Sequence, residues 1–141
     1  MQGSCYKFFS GEMSWIVAKS VCEALGAKLV VLNSLAENQA VGQNITRKLG
    51  TMIGLHRNPN NKSSWLWVDG SRATYSLPWN TGELNNPEGG DCVRMLPKAK
   101  GYRWKHIPCD TFHSHIPYVC ETRGKSVRII LYIAPGMLNH S

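Results

Sequence analysis

Between Trp79 and Cys109 the chain carries a stretch that neither a helix nor a regular sheet can absorb. Its first half, from Trp79-Asn80-Thr81-Gly82-Glu83-Leu84-Asn85-Asn86 to a Gly89-Gly90 turn, is crowded with Asn, Gly and Pro, residues that break repeating structure. Its second half places two short strand-like runs around a basic loop, bracketed by Cys92 and Cys109. A cross-link there would hold an irregular loop beside two short strands. Long loops within a domain usually carry function, because a rigid scaffold positions their side chains. The rest of the chain is therefore read as that scaffold, and the stretch as a binding loop.

At 141 residues the chain is about one domain with one hydrophobic core. Its five cysteines, Cys5, Cys22, Cys92, Cys109 and Cys120, include no CxxC pair. Scattered in this way, they suit disulfides in an oxidising compartment better than a zinc site or a redox dithiol. Sequons at Asn44, Asn61 and Asn139 agree with a secreted glycoprotein. No apolar run is long enough for a membrane span, and no signal peptide is present, so export would imply a signal already removed. Sixteen Lys and Arg against nine Asp and Glu give a net charge of +7. That excess serves either a solvated surface or an anionic partner.

Cys5 to Phe9 reads as a short strand. Ser14 can cap a helix with Val17, Ala18, Val21, Cys22 and Leu25 at three- and four-residue spacing, and Gly26 fits the left-handed position beyond it. Leu29 to Leu32 is a short apolar strand. Ser34 and Glu37 form a capping box for a second helix, with Val41, Ile45 and Leu49 on one stripe and Gly50 at its end. Beyond Thr51 the period changes. Met52 to Leu55 reads as a buried strand, His56 to Ser64 as a polar loop, and Trp65 to Val68 as a strand ending on Asp69-Gly70. Cys92 to Leu96, Tyr102 to Trp104 and Tyr118 to Cys120 are further strand candidates. Helices in the first half and strands in the second imply an α+β fold.

Taken in order, several of these residues carry a family likeness. They are Cys22, Met52-Ile53-Gly54-Leu55, Trp65-Leu66-Trp67 with Asp69-Gly70, Trp79, Glu83-Leu84-Asn85, Asp91-Cys92-Val93, Trp104 with Ile107-Pro108-Cys109, and Tyr118-Val119-Cys120. With them the chain resembles the C-type lectin-like domain from Cys5 to about Glu121. The resemblance implies two antiparallel sheets, two flanking helices and a long loop that leaves and re-enters the core. It divides the chain into a domain at 5–122 and a tail at 123–141. It also implies that Cys22 pairs with Cys120 and Cys92 with Cys109. Cys5 is left over, as a partnerless thiol or as the link in a homodimer.

In family members that bind sugar, a calcium ion contacts two sugar hydroxyls and needs six to eight oxygen ligands. The Glu-Pro-Asn triplet of mannose-type sites matches Glu83-Leu84-Asn85, where both oxygen donors remain but the proline, cis in the family, is Leu84. A cis bond before leucine costs roughly 3 kcal/mol. The family's Trp-Asn-Asp step matches Trp104-Lys105-His106, so two ligands are replaced and an ammonium projects toward the ion position. The acid expected two residues before Cys92 is Gly90, although Asp91 matches its neighbour. The auxiliary calcium site draws acids from the loop after Leu55, and His56 to Ser64 contains none. The expectation is no cofactor, with calcium binding weak or absent.

Between Cys92 and Cys109 stand Arg94, Lys98, Lys100, Arg103 and Lys105, and no acid. Fixed cations attract carboxylate, sulfate or phosphate. The expected ligand-binding set is therefore Glu83, Asn85, Arg94, Lys100, Arg103, Lys105 and His106. The expected partners are glycans or glycoproteins, sulfated or sialylated ones favoured. The alternative is a protein-binding domain that has lost sugar binding. His106, Cys109, His113 and His115 resemble a zinc set, but the family pairing claims Cys109 for a disulfide. Ser114 lies between two histidines without a buried carboxylate or a nucleophile turn, so no enzyme is expected. Trp65, Trp67, Trp79 and Trp104 match family core positions, which argues against a nucleic-acid surface. In the tail, Val127 to Ile133 is a β-prone run too short to span a bilayer, fit for an added edge strand or a flexible appendage.

Overall fold

A computed structural model describes residues 4–11, 13–46, 49–83, 89–112 and 116–123. Asn85, His113, Ser114, His115, Asn139 and the run at 127–133 lie outside the described residues. In chain order the elements are Ser4–Phe9 (β1), Trp15–Ala24 (α1), Lys28–Leu29 (β2), Leu35–Asn44 (α2), Thr51–Asn58 (β3), Asn61–Trp67 (β4), Cys92–Met95 (β5), Trp104–Ile107 (β6) and Tyr118–Arg123 (β7). The class is α+β, as expected. The strands run β1-β7-β3-β5-β6, with β2 beside β7 and β4 beside β3. The two sheets that the resemblance implies are joined into one, because β3 and β7 share a single parallel pair, Met52 with Tyr118.

Both helices start where their caps predict, but α1 buries only part of the expected stripe and α2 is shorter than expected. In α1, Ser14 Oγ accepts from the Val17 amide at 3.1 Å. Its buried residues are Trp15, Ala18 and Cys22, whereas Val17 and Leu25 stay exposed. The indole of Trp15 donates to the Ile53 carbonyl at 2.7 Å and Cys22 is cross-linked, and these two anchors fix the rotation of the helix. In α2, Ser34 Oγ accepts from the Glu37 amide, and Glu37 in turn accepts from the Asn33 amide. This helix ends at Asn44 instead of Gly50, and Leu49 is exposed. The Thr46 hydroxyl, with its one proton, donates to the Leu49 carbonyl at 2.9 Å or is shared with the Gly42 carbonyl at 3.3 Å.

The polar stretch after Leu55 is not a loop. β3 continues to Asn58 and β4 starts at Asn61, so the hairpin turn is Pro59-Asn60. Asn58 Oδ1 accepts from the Asn60 amide and stabilises that turn with a side chain instead of apolar packing. Leu29 to Leu32 is buried but only Lys28–Leu29 forms a regular ladder. Beyond it, Val30 donates to the Val119 carbonyl and Val31 to the Glu121 carboxylate. Tyr102 has φ 58°, a left-handed conformation that ends regular pairing and delays β6 to Trp104.

Alternation along the strands divides the core between the two faces of the sheet. Val31, Leu55, Trp67, Val93, Met95 and Trp104 pack in one cluster. Phe9, Trp15, Cys22, Met52, Ile107 and Tyr118 pack in the other, against α1. Cys22–Cys120 links α1 to β7 across a separation of 98 residues, and Cys92–Cys109 links β5 to the segment after β6. Both pairs are those the resemblance implies. Cys5 is a free, partly exposed thiol on β1. Asn44 and Asn61 are exposed, at the end of α2 and the start of β4. Among the described residues no helix is long and apolar enough to cross a membrane.

Candidate functional site

The site is built on the outer edge of β6. Its inner edge is paired with β5, matching Val93 with His106 and Arg94 with Lys105. Its outer edge would expose the amides of Trp104 and His106. The Trp104 amide donates to the Pro78 carbonyl at 2.8 Å, and the Trp104 carbonyl accepts from Asn80 at 2.9 Å. The His106 amide donates to Glu83 Oε1 at 2.8 Å. A side-chain carboxylate thus takes the place of the next backbone carbonyl along a half-formed strand. The turn from Asn80 to Glu83, closed by the Glu83 amide on the Asn80 carbonyl, sets the carboxylate there.

Glu83 is buried, and its second oxygen lies 3.7 Å from Lys105 Nζ. The lysine side chain is 47% exposed, so its ammonium is partly solvated and the pair is weak by itself. His106 is buried too. Its ring lies 5.0 Å from that of Trp65 and 4.7 Å from that of Trp79, with Nδ1 3.7 Å from Glu83 Oε1. α2 steadies this region from below: Asn38 accepts from the Trp104 indole at 2.8 Å and donates to the Tyr102 carbonyl at 3.1 Å.

The structure separates the expected set into groups. Lys100 and Arg103 are exposed, with Lys98 and Lys100 on a short 3-10 turn and Arg103 donating to the Trp79 carbonyl at 3.2 Å. Lys105 joins them on the outside of the loop. His106 does not face solvent; it fills the space between two tryptophans. Arg94 is half-buried on β5, where burial lowers the pKa of its guanidinium. Its Nη2 would lie 2.8 Å from a Cβ placed on Gly50. Asn85 is outside the described residues. Gly90, where the resemblance implies an acid, has φ 120°, and a Cβ there would overlap the Ile107 carbonyl. Backbone packing excludes a side chain at that position. Among the described residues no three His, Cys, Asp or Glu side chains converge as a metal-binding group.

One residue escaped the sequence reading. Arg57, near the end of β3, stacks its guanidinium 4.4 Å from the Trp65 ring and pairs through Nε with Asp91 Oδ1 at 2.9 Å. Nothing in a polar stretch marks one arginine for this role; its only signal is the acid beside Cys92.

The family model described as the lectin C-type domain matches residues 11–122. The chain is 36% identical over 126 residues to mouse C-type lectin domain family 4 member G, covering 87% of this chain and 40% of that protein. It is 30% identical over 128 residues to C-type lectin BfL-2 of Bungarus fasciatus, covering 86% of this chain and 78% of that one. Among solved structures it is similar to the cow C-type carbohydrate-recognition domain of CD23, determined in the presence of a GlcNAc2Man3 oligosaccharide. That match has a TM-score of 0.72 and 28% identity, covering 89% of this chain and 92% of the other. The edge-strand geometry, the two disulfides and these matches agree: the chain belongs to the C-type lectin domain family.

Proposed function

We propose that this domain is an extracellular carbohydrate-recognition module that binds anionic glycans, sulfated or sialylated, without calcium. The observation that carries this reading is the use made of Glu83. One carboxylate oxygen holds the His106 amide and the other faces the Lys105 ammonium. A hard cation needs six to eight oxygens, and one Glu83 oxygen is engaged by the His106 amide while the other faces the partly solvated Lys105 ammonium. Lys98, Lys100, Arg103 and Lys105 are exposed on one loop and its strand, where sulfate and carboxylate groups can pair with them. The sugar present with the cow CD23 domain supports a glycan as the ligand class.

The test is an array of neutral, sulfated and sialylated glycans probed in calcium and in chelator. Anionic glycans bind equally in both, and binding falls steeply with salt, because the Debye length is ~8 Å at physiological ionic strength. Lys100→Ala with Arg103→Ala weakens it. Calcium-dependent binding of neutral mannose-type sugars would overturn the proposal. A second reading, a protein-binding domain without sugar affinity, draws support from Phe112, which is 69% exposed just beyond Cys109. An array silent under every condition favours that reading.

A further inference from the structure

Arg57 gathers oxygens from three residues in two segments of the chain, Lys62 and the adjacent Gly90 and Asp91. Its Nε donates to Asp91 Oδ1 at 2.9 Å, its Nη1 to the Lys62 carbonyl at 2.8 Å, and its Nη2 to the Gly90 carbonyl at 3.4 Å. Its backbone amide adds a bond to the Asp91 carbonyl at 2.8 Å. The Arg57 side chain is 18% exposed, while that of Asp91 is 70% exposed. A carboxylate and two carbonyls, from the Gly90-Asp91 segment and from β4, are the ligand types that a hard cation collects. Here a guanidinium sits among them, with a planar fork of donors.

The same side chain reaches the other end of the loop through rings. Its guanidinium lies on Trp65; the Trp65 ring is 5.0 Å from both Trp79 and His106; and the His106 amide holds Glu83. We propose that Arg57 is the built-in cation of this domain. It clamps Gly90 and Asp91 at one end of the binding loop directly, and Trp79 and Glu83 at the other through Trp65. It thereby does the ordering that a bound metal ion would otherwise supply. This deepens the calcium-independent reading above and rests on it. Clefts of about 510 and 260 Å³ open beside the Arg57–Asp91 pair, so a smaller residue at 57 would leave room for an ion and its waters.

The experiment is amide hydrogen exchange on the whole chain, with calcium or chelator. The reporters are the amides of Arg57, Asn80, Glu83 and His106, each of which donates within this assembly, and the core amide of Gly54, which donates to Val30. In Arg57→Ala the four reporters exchange roughly 10- to 100-fold faster, as expected for losing hydrogen bonds to a charged group. Gly54 is unchanged, and calcium has no effect. Arg57→Asp places a second carboxylate beside Asp91, so its reporters are fast in chelator and slow again in millimolar calcium. The parent chain is indifferent to calcium.

Reporters that stay slow in Arg57→Ala would overturn the proposal, as would a Gly54 amide accelerated to the same degree. Failure of calcium to rescue Arg57→Asp would show that these oxygens are not a cation shell. Should Arg57→Ala not fold, Asp91→Asn keeps the shape, removes the charge and is read in the same way. Heparin binding is measured separately. Its absence from the parent would refute the anionic-glycan reading and leave the exchange result standing.

Discussion

Replacing Glu83 by alanine removes the acceptor that closes the outer edge of β6, and its cost follows from the contacts. The His106 amide, now holding Glu83 Oε1 at 2.8 Å, would be left buried with no acceptor. An unsatisfied buried donor costs about 1–3 kcal/mol. The Lys105 contact at 3.7 Å adds little, because the lysine is half in water. A loss of about 2 kcal/mol lowers Tm by roughly 5–10 °C in a chain of this size. Glu83→Gln keeps a carbonyl oxygen for the His106 amide and gives up only the charge, so it stays within about 1 kcal/mol of the parent. Thermal melts of the three proteins in chelator make the comparison. The reasoning fails if glutamine and alanine melt together. It fails also if alanine is harmless in chelator and matters only when calcium is added, since Glu83 would then be a cation ligand.

Two further outcomes test the scaffold. Peptide mapping under non-reducing conditions finds Cys22–Cys120, Cys92–Cys109 and one alkylatable thiol at Cys5, and removing the first pair costs ~4–5 kcal/mol by the chain-entropy model for so large a loop; a Cys5–Cys22 linkage would contradict the fold. Gly90→Ala loses about 2–3 kcal/mol in chemical denaturation, because a positive φ and the Ile107 carbonyl both oppose a Cβ, and an unchanged stability would mean that this segment relaxes freely.

The parts of this molecule that depend on spacing were legible in the chain. Caps at Ser14 and Ser34, the apolar run at Met52 to Leu55, and the order of tryptophans and cysteines all stand where the sequence puts them. Errors arose where a side chain or a distant contact overrides the local pattern. The rotation of α1 answers to Trp15, which the stripe through Val17, Ala18, Val21, Cys22 and Leu25 does not contain, so Ala18 and Cys22 are buried as expected while Val17 and Leu25 face out. The hairpin after Leu55 reads as a loop in the sequence because its outer residues are polar and its turn is held by an Asn side chain. At the site, residue types were readable and their assignments were not. Glu83 and His106 read as ligand residues by type, and in the fold Glu83 accepts from an edge amide while His106 packs between rings. Edge strands create such needs, and no periodicity records which side chain meets them.

Calorimetric titration of the parent chain with calcium bears most directly on the central claim, that cations of the chain itself stand where an ion would bind. Two unit charges 4 Å apart repel by ~4 kcal/mol at an effective dielectric of 20, about three decades in affinity. The Lys105 ammonium stands 3.7 Å from the Glu83 carboxylate, so a part of that repulsion, discounted for its half-solvated side chain, opposes an ion held there. The account predicts no binding tighter than about millimolar, the weak end of protein calcium sites. A micromolar affinity would contradict it, and would mean that Glu83 leaves the β6 edge to join ligands other than those described.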